Sequence, residues 1–382
     1  MNTTRLIGAF CMIVLIMLNS VLGSHKVKAE DNEILLHSET AVLMDKSSGQ
    51  VLYEQNMNQT MYPASITKIV TAIVAIEEGE LNELVTVSER ARNTIGTRVY
   101  LLENEQVPLL KLVQGLLINS GNDAGTAIAE HLAGTEKRFA KRMNEFVREK
   151  IGVEDTHFTN PHGLFDEDHV TTAYDMAKIT QYAMQNELFR EIVGTKEMEW
   201  IGEGWETTIH NHNRLLWRYE GATGVKNGYV SQSGFTLVST VLRDETELIA
   251  VTLNAPSSEQ AYTDMEAMFN FGFKHYQSNV INKGYLFQAE TGEVYELIDD
   301  VHFLTKKGEE EASMKVKDEG ILSIKTEDHA FLLSTVLTPV ERSKNVKQRT
   351  EEPIDQTLKE KKEEQTFIER WMTQLMSILN LR

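Results

Sequence analysis

Cysteine is almost missing from this 382-residue chain: the single one, Cys11, lies in an apolar N-terminal stretch. A mature chain without that stretch would have no disulfide and no thiol nucleophile. Basic residues are also scarce, 38 Lys and Arg against 57 Asp and Glu, which gives a formal net charge of −19. A nucleic-acid partner is not expected, because such proteins present a basic face to the phosphates. There is no H-E-x-x-H string, and His210-Asn211-His212 is an isolated pair on strand-like sequence, substrate-side or structural. Neither a metal nor a cofactor is therefore expected. There are no internal repeats.

At the N-terminus, Arg5 precedes a nearly unbroken apolar run from Leu6 to Leu22, and Val27-Lys28-Ala29 ends in a small residue. This is the pattern of an export signal over residues 1–29. An uncleaved anchor helix is the alternative, since the run is near the lower limit for spanning a bilayer. Cleavage would remove Arg5, Lys26 and Lys28 and no acid, making the exported chain still more negative.

The rest of the chain is organised around the stretch Tyr62 to Val74. Pro63 suits a first helical position, and apolar residues from Ile66 to Ile76 fall on every side, so the helix is expected to be enclosed. Ser65 and Lys68 nevertheless sit three apart on one face of its first turns. A lysine there is costly unless it is paired or its pKa falls. A hydroxyl beside a deprotonatable amine is the layout of an activated nucleophile. A first-turn serine with a snorkelling lysine gives the same spelling.

Strands are expected at Glu39 to Asp45 and Val51 to Glu54, around a turn at 46–50. Helices are expected at Val107 to Ile118, Ala124 to Leu132, Phe139 to Ile151, Thr172 to Met184, Leu188 to Val193 and Glu259 to Tyr276. Trp205 to Trp217 reads as strand, and Phe235 to Leu242 with Glu247 to Asn254 reads as a hairpin. After Tyr276 short apolar runs alternate with turns, which gives a small all-β domain over 277–340. A charged linker covers 341–365. From Phe367 to Leu381 apolar residues recur at helical spacing, so 366–382 is expected to be an amphipathic helix, on a membrane surface or docked on the β domain. The catalytic domain would then occupy 30–276.

Two further strings complete a constellation: Ser120-Gly121-Asn122 at a helix break, and Lys226-Asn227-Gly228 ahead of the hairpin. Ser65 would attack a carbonyl and Lys68 would take its proton, provided burial and the second cation, Lys226, lower the Lys68 pKa. Ser120 would relay the proton to a leaving amine. Asn122 would hydrogen-bond Lys68 and the substrate backbone, and Lys226 and Asn227 would hold a terminal carboxylate. Gly228 would let the substrate approach the strand. The N–H groups of Ser65 and Tyr229 would form an oxyanion hole.

These strings, together with Asn160-Pro161-His162-Gly163-Leu164, Thr172-Ala173-Tyr174-Asp175 and Gly224-Val225-Lys226, succeed one another in order between Thr40 and Tyr276. In this the chain resembles the low-molecular-weight penicillin-binding D-alanyl-D-alanine carboxypeptidases, serine peptidases with S-x-x-K, S-x-N and K-T-G motifs. The resemblance implies an α/β/α sheet domain with a helical lobe, a β-rich C-terminal module and a membrane-associated C-terminal helix. It implies an acyl-enzyme at Ser65, peptidoglycan stem peptides ending in D-Ala-D-Ala as substrate, and β-lactams as inhibitors. Sporulation-type members look most similar. One departure stands out: Asn227 replaces the usual threonine, and offers NH₂ donors on a longer arm instead of a hydroxyl. Two rival readings remain open, a serine β-lactamase and a non-catalytic wall-binding relative. The β-lactamase needs a deacylating base after the S-x-N turn, whereas Glu78-Gly79-Glu80-Leu81-Asn82 precedes it.

Overall fold

The computed structural model describes residues 34–340 apart from 309–311, 318 and 327–330. The expected export signal, linker and amphipathic helix lie outside the described residues. Strand β1 (Thr40–Asp45) is buried along its whole length, and β2 (Val51–Gln55) returns beside it. Strands β3 (Ala222–Val230), β4 (Gly234–Arg243) and β5 (Thr246–Ala255) complete a five-stranded sheet in the order β2-β1-β5-β4-β3. Every neighbouring pair is antiparallel. The register places Val42 opposite Val251, so chain ends far apart in sequence share the centre of the sheet. Strand β3 is left on an edge.

Successive side chains of a strand point to opposite faces, and here both faces are covered. Val42, Met44, Val238 and Val251 pack with Ile69 and Ile73 of α1 (Lys68–Glu78). Leu43, Leu237, Leu248 and Ala250 pack with Met265 and Phe269 of the long closing helix. The result is the expected α/β/α layering. The first core continues into a lobe built from α2 (Leu109–Ile118), α3 (Asn122–Ala133) and α4 (Glu136–Phe146). Helices α5 (Ala173–Ala183) and α6 (Glu187–Gly194) lie on the same side as α1, and α7 (Ser258–His275) forms the opposite layer.

Three local expectations are corrected. The Ser65 segment is a 3-10 turn, Ala64–Thr67, that feeds α1. Helix α4 begins at Glu136, earlier than periodicity suggests, because the Thr135 hydroxyl accepts the Arg138 N–H as an N-cap. It finishes in a π turn, Val147–Ile151. Only Glu206–His210 of the expected 205–217 strand is extended, paired with Glu197–Ile201. The rest turns because Asn211 Oδ1 accepts the Asn213 N–H and Asn213 Oδ1 accepts the Leu215 N–H. Those bonds set up the helical turn Leu215–Arg218.

From Tyr276 onward the described chain contains only strands and connections, around a small core that includes Ile281, Tyr295, Leu297, Phe303, Leu322 and Ile324. Among the described residues no helix is long and apolar enough to cross a membrane.

Candidate active site

The 3-10 turn that carries Ser65 is held from three directions. Ala64 adopts a left-handed φ of 51°, and the Thr67 hydroxyl donates back to its carbonyl at 2.8 Å. The Thr236 hydroxyl of β4 donates to the Pro63 carbonyl at 2.9 Å. His169 Nε2 lies 2.8 Å from the Thr67 hydroxyl, while its Nδ1 accepts the Thr159 N–H at 3.0 Å. Those partners fix a neutral ring protonated at Nε2, and burial pushes the His169 pKa down to about 3.

This bracing aims Ser65 at Lys68. Lys68 Nζ lies 2.7 Å from Ser65 Oγ and 2.7 Å from the His162 carbonyl, to which it donates. The lysine is fully buried, so it does not snorkel. Burial, and then the positive charge of Lys226, drive its pKa well below the ordinary lysine value, with Asp123 opposing. Ser65 itself is partly open to solvent. Once the lysine is neutral, such a pair can move a proton from hydroxyl to amine.

The His162 carbonyl comes from the Asn160–Leu164 loop. Asn160 Oδ1 accepts the Gly163 N–H at 2.8 Å and its Nδ2 donates to the Leu164 carbonyl at 2.9 Å. Gly163 has φ +86°, and a methyl there would lie 1.8 Å from the Ala64 carbonyl oxygen. Only glycine lets this loop pass behind the nucleophile turn. The His162 ring pairs with Glu136 at 3.2 Å, and burial lowers its pKa against that partner.

Ser120 occupies the break between α2 and α3 with φ 63° and is buried. Asn122 opens α3, but it does not bond Lys68: its Nδ2 donates to the Ile95 carbonyl at 2.7 Å. Its Oδ1 is buried without a protein partner among the described residues. Asp123 accepts from the N–H groups of Val99 and Ala124 at 3.0 Å and of Leu101 at 3.2 Å, which ties the lobe to this turn. The first turns of α3 meet the His162 loop, since a methyl on Gly125 would lie 3.5 Å from His162 Cβ.

The third string lies on edge strand β3. A methyl on Gly228 would lie 2.6 Å from the Ser65 nitrogen, so only glycine lets the strand come this close to the nucleophile turn. Lys226 is fully buried, its Nζ donates to the Asn227 carbonyl at 2.9 Å, and burial pushes its pKa down to about 7. Asn227 Oδ1 is 3.4 Å from the same amine. The Val230 N–H turns inward to Ser233 Oγ at 3.1 Å. Alternation along the strand therefore aims the Tyr229 N–H towards the free edge. Edge strand β3 and the Asn160–Leu164 loop thus both reach the Ser65 turn, and the start of α3, which carries Asn122, meets that loop. Sequence reasoning gave no role to His162, His169 and Asp123. His162 and Asp123 stand inside or beside the motif strings, but nothing in their spelling distinguishes a carbonyl that anchors an amine or a carboxylate that ties a loop from ordinary turn chemistry.

A sheet between helical layers, with a serine held against a buried amine, defines a serine–lysine acyl-transfer architecture. The profile of the D-alanyl-D-alanine carboxypeptidase family, peptidase S11, matches residues 26–257. The chain belongs to that family. It is 31% identical over 306 residues to D-alanyl-D-alanine carboxypeptidase DacF of Bacillus subtilis, covering 75% of this chain and 78% of the relative. Penicillin binding protein 5 of Haemophilus influenzae superposes with a TM-score of 0.71 at 26% identity, covering 81% of this chain and 98% of that one. A Streptomyces K15 DD-transpeptidase variant matches with a TM-score of 0.60 at 27% identity, over 63% of this chain and all of that one.

Proposed function

We propose that this chain is a serine-type D-alanyl-D-alanine carboxypeptidase that removes the terminal D-alanine from peptidoglycan stem peptides. The observation that carries this is the 2.7 Å contact between Lys68 Nζ and Ser65 Oγ, with the amine buried and repelled by Lys226. Neutral Lys68 takes the hydroxyl proton as Ser65 Oγ attacks the carbonyl of the penultimate D-alanine. The N–H groups of Ser65 and Tyr229 stabilise the oxyanion, each contributing about 100- to 1000-fold in rate. Ser120 passes the proton to the departing amine, and free D-alanine leaves. Water then attacks the Ser65 ester, regenerating the hydroxyl and releasing the shortened peptide. Lys226 and Asn227 hold the terminal carboxylate, and Asn122 Oδ1 accepts from the substrate backbone. A β-lactam acylates the same serine.

Glu78 does not supply the base that the serine β-lactamase reading needs. Glu78 pairs with Arg142 at the far end of α1, about 15 Å from Lys68 at the rise of a helix. The same proposal divides the chain as the sequence suggests: signal 1–29, catalytic domain 30–276, β-rich domain 277–340, linker 341–365 and membrane-associated helix 366–382. On this reading the exported enzyme works at the outer face of the cytoplasmic membrane. Truncation after Pro353 tests the last point by releasing the protein from the membrane fraction. A role in spore-cortex maturation rests on resemblance alone, and expression restricted to vegetative growth would contradict it.

The decisive experiment measures D-alanine release from a blocked peptide ending in D-Ala-D-Ala, by the full chain and by Ser65→Ala. Release by the native protein should fall by about 10⁴-fold or more in the variant. Intact-mass analysis after penicillin treatment should show an adduct that Ser65→Ala lacks. No release by the native chain overturns the reading.

A further inference from the structure

An oxyanion hole works when its two donors are held at a fixed separation, and here they belong to different layers of the fold. The Ser65 N–H belongs to the 3-10 turn Ala64–Thr67, and the Tyr229 N–H belongs to edge strand β3. The Thr67 hydroxyl bonds back within the turn, and His169 reaches the turn from outside the sheet. Among the described residues, the hydrogen bond that joins the Pro63–Thr67 backbone to the sheet is the one from Thr236.

Thr236 of β4 stands directly opposite Gly228 of β3, so their side-chain positions share one face of the sheet. Gly228 leaves that face open. A methyl there would lie 2.6 Å from the Ser65 nitrogen, 2.7 Å from Thr236 Oγ1 and 3.1 Å from Ala64 Cβ. Beside this gap the Thr236 hydroxyl donates to the Pro63 carbonyl at 2.9 Å, 173 positions away in sequence. Thr236 is buried, so water does not compete for the bond. The ladder on its other side is irregular at the same point. There β5 sets Leu253 and Asn254 against Thr236 alone, with Asn254 at φ 55°. A bulge of this kind re-aims neighbouring side chains.

We propose that Thr236 is a positioning residue of the oxyanion hole: by holding the Pro63 carbonyl beside the gap at Gly228, its hydroxyl fixes how far the Ser65 N–H stands from the Tyr229 N–H. This rests on the carboxypeptidase reading. Thr236 acts only through the two donors and touches no reacting atom. The oxyanion develops in the transition state and is absent from the bound substrate. Misplaced donors therefore slow the chemical step and leave substrate binding as it was.

The test uses the full chain, a blocked peptide ending in D-Ala-D-Ala, and Thr236→Val, which keeps the volume and removes the donor. kcat should fall about 10- to 100-fold, as expected when a reacting geometry shifts by up to about 1 Å, with KM within about twofold. A peptide boronic acid, whose boron takes the place of the scissile carbonyl carbon, bonds to Ser65 Oγ and presents a tetrahedral oxygen to the two donors. Its inhibition constant should rise by about the factor by which kcat/KM falls. The acid limb of the pH profile should keep its midpoint, because the contacts of Lys68 with Ser65 and His162 do not involve Thr236. Thr236→Ser, which keeps the hydroxyl, should recover most of kcat. Should the valine variant melt early, Thr236→Ala removes the same donor and carries the same expectation. An unchanged kcat, a loss confined to KM, or a serine variant no better than valine overturns the proposal and leaves the carboxypeptidase reading standing. If the native chain releases no D-alanine, the functional reading itself fails and the proposal falls with it.

Discussion

The α/β region and the β-rich region C-terminal to it solve packing in opposite ways. The first buries Lys68, Lys226, Asp45, Asp123, Asp175, Glu105, Glu247 and Asp264, whereas the only buried polar residue described after Tyr276 is Thr305. The left-handed non-glycine residues Ala64 and Ser120 also belong to the first region, as do all the others described. Buried charge and backbone strain each cost stability, on the order of 1–3 kcal/mol per strained residue. They persist where the surrounding structure over-determines them. The larger region can hold them because its sheet is covered on both faces. The smaller one has a slight core and carries no such features among its described residues.

The sharpest way to break this contrast is to remove a buried charge. Lys226→Met should lower kcat/KM by about 100-fold or more, through loss of the cation proposed to hold the substrate carboxylate. It should also stabilise the fold. The folded Lys226 holds its proton less firmly than an unfolded lysine, with a pKa of about 7 against 10.5. Its contribution is therefore lost as pH falls from 10.5 to 7, and at neutral pH it destabilises. Thermal unfolding at pH 7 should show the methionine variant more stable by about 2–5 kcal/mol. A variant that is both inactive and less stable would contradict this account of the site.

The same amines set the pH profile. On the acid side kcat/KM should rise with pH as Lys68 loses its proton and becomes a base. On the alkaline side it should fall beyond about pH 7 as Lys226 becomes neutral. Initial rates at subsaturating peptide give the two limbs. Lys226→Arg, always charged, should abolish the alkaline one.

In the β-rich region the expectation reverses. Leu322 is fully buried, and Leu322→Ala should destabilise that region by about 2–5 kcal/mol. D-alanine release should be unaffected, because the residue touches none of the three elements around Ser65. Limited proteolysis, read beside the activity, separates the two outcomes. The smallest effect is expected at Asn227→Thr. Asn227 keeps its Oδ1 near the Lys226 amine and its NH₂ as a donor. The substitution should change kcat/KM by less than about tenfold in either direction. If only the threonine form turned over substrate, the natural third motif would be impaired.

Much of this molecule was legible before any coordinates. The β1–β2 hairpin, the enclosed helix after Ser65, the break at Ser120 and the β4–β5 hairpin each come from periodicity and turn residues acting over a few positions. Misreadings arose where a side chain overrode the pattern. Asn211 and Asn213 bend the expected 205–217 strand into a turn, and the Thr135 cap starts α4 early. The role of Asn122 was misassigned in part because its competing acceptor, the Ile95 carbonyl, is distant in sequence.

The chain's own spelling determined that Ser65 and Lys68 would share a turn, because three residues of helical backbone bring two side chains together wherever the segment sits. It also determined that glycine stands at positions 163 and 228. Tertiary structure alone decided what kind of lysine Lys68 would be. Its low proton affinity comes from enclosure and from a cation on a strand 158 positions later, and the His162 carbonyl that orients it comes from a loop across the lobe. Spacing is a property of the local backbone, whereas desolvation and electric field exist only once distant segments have packed.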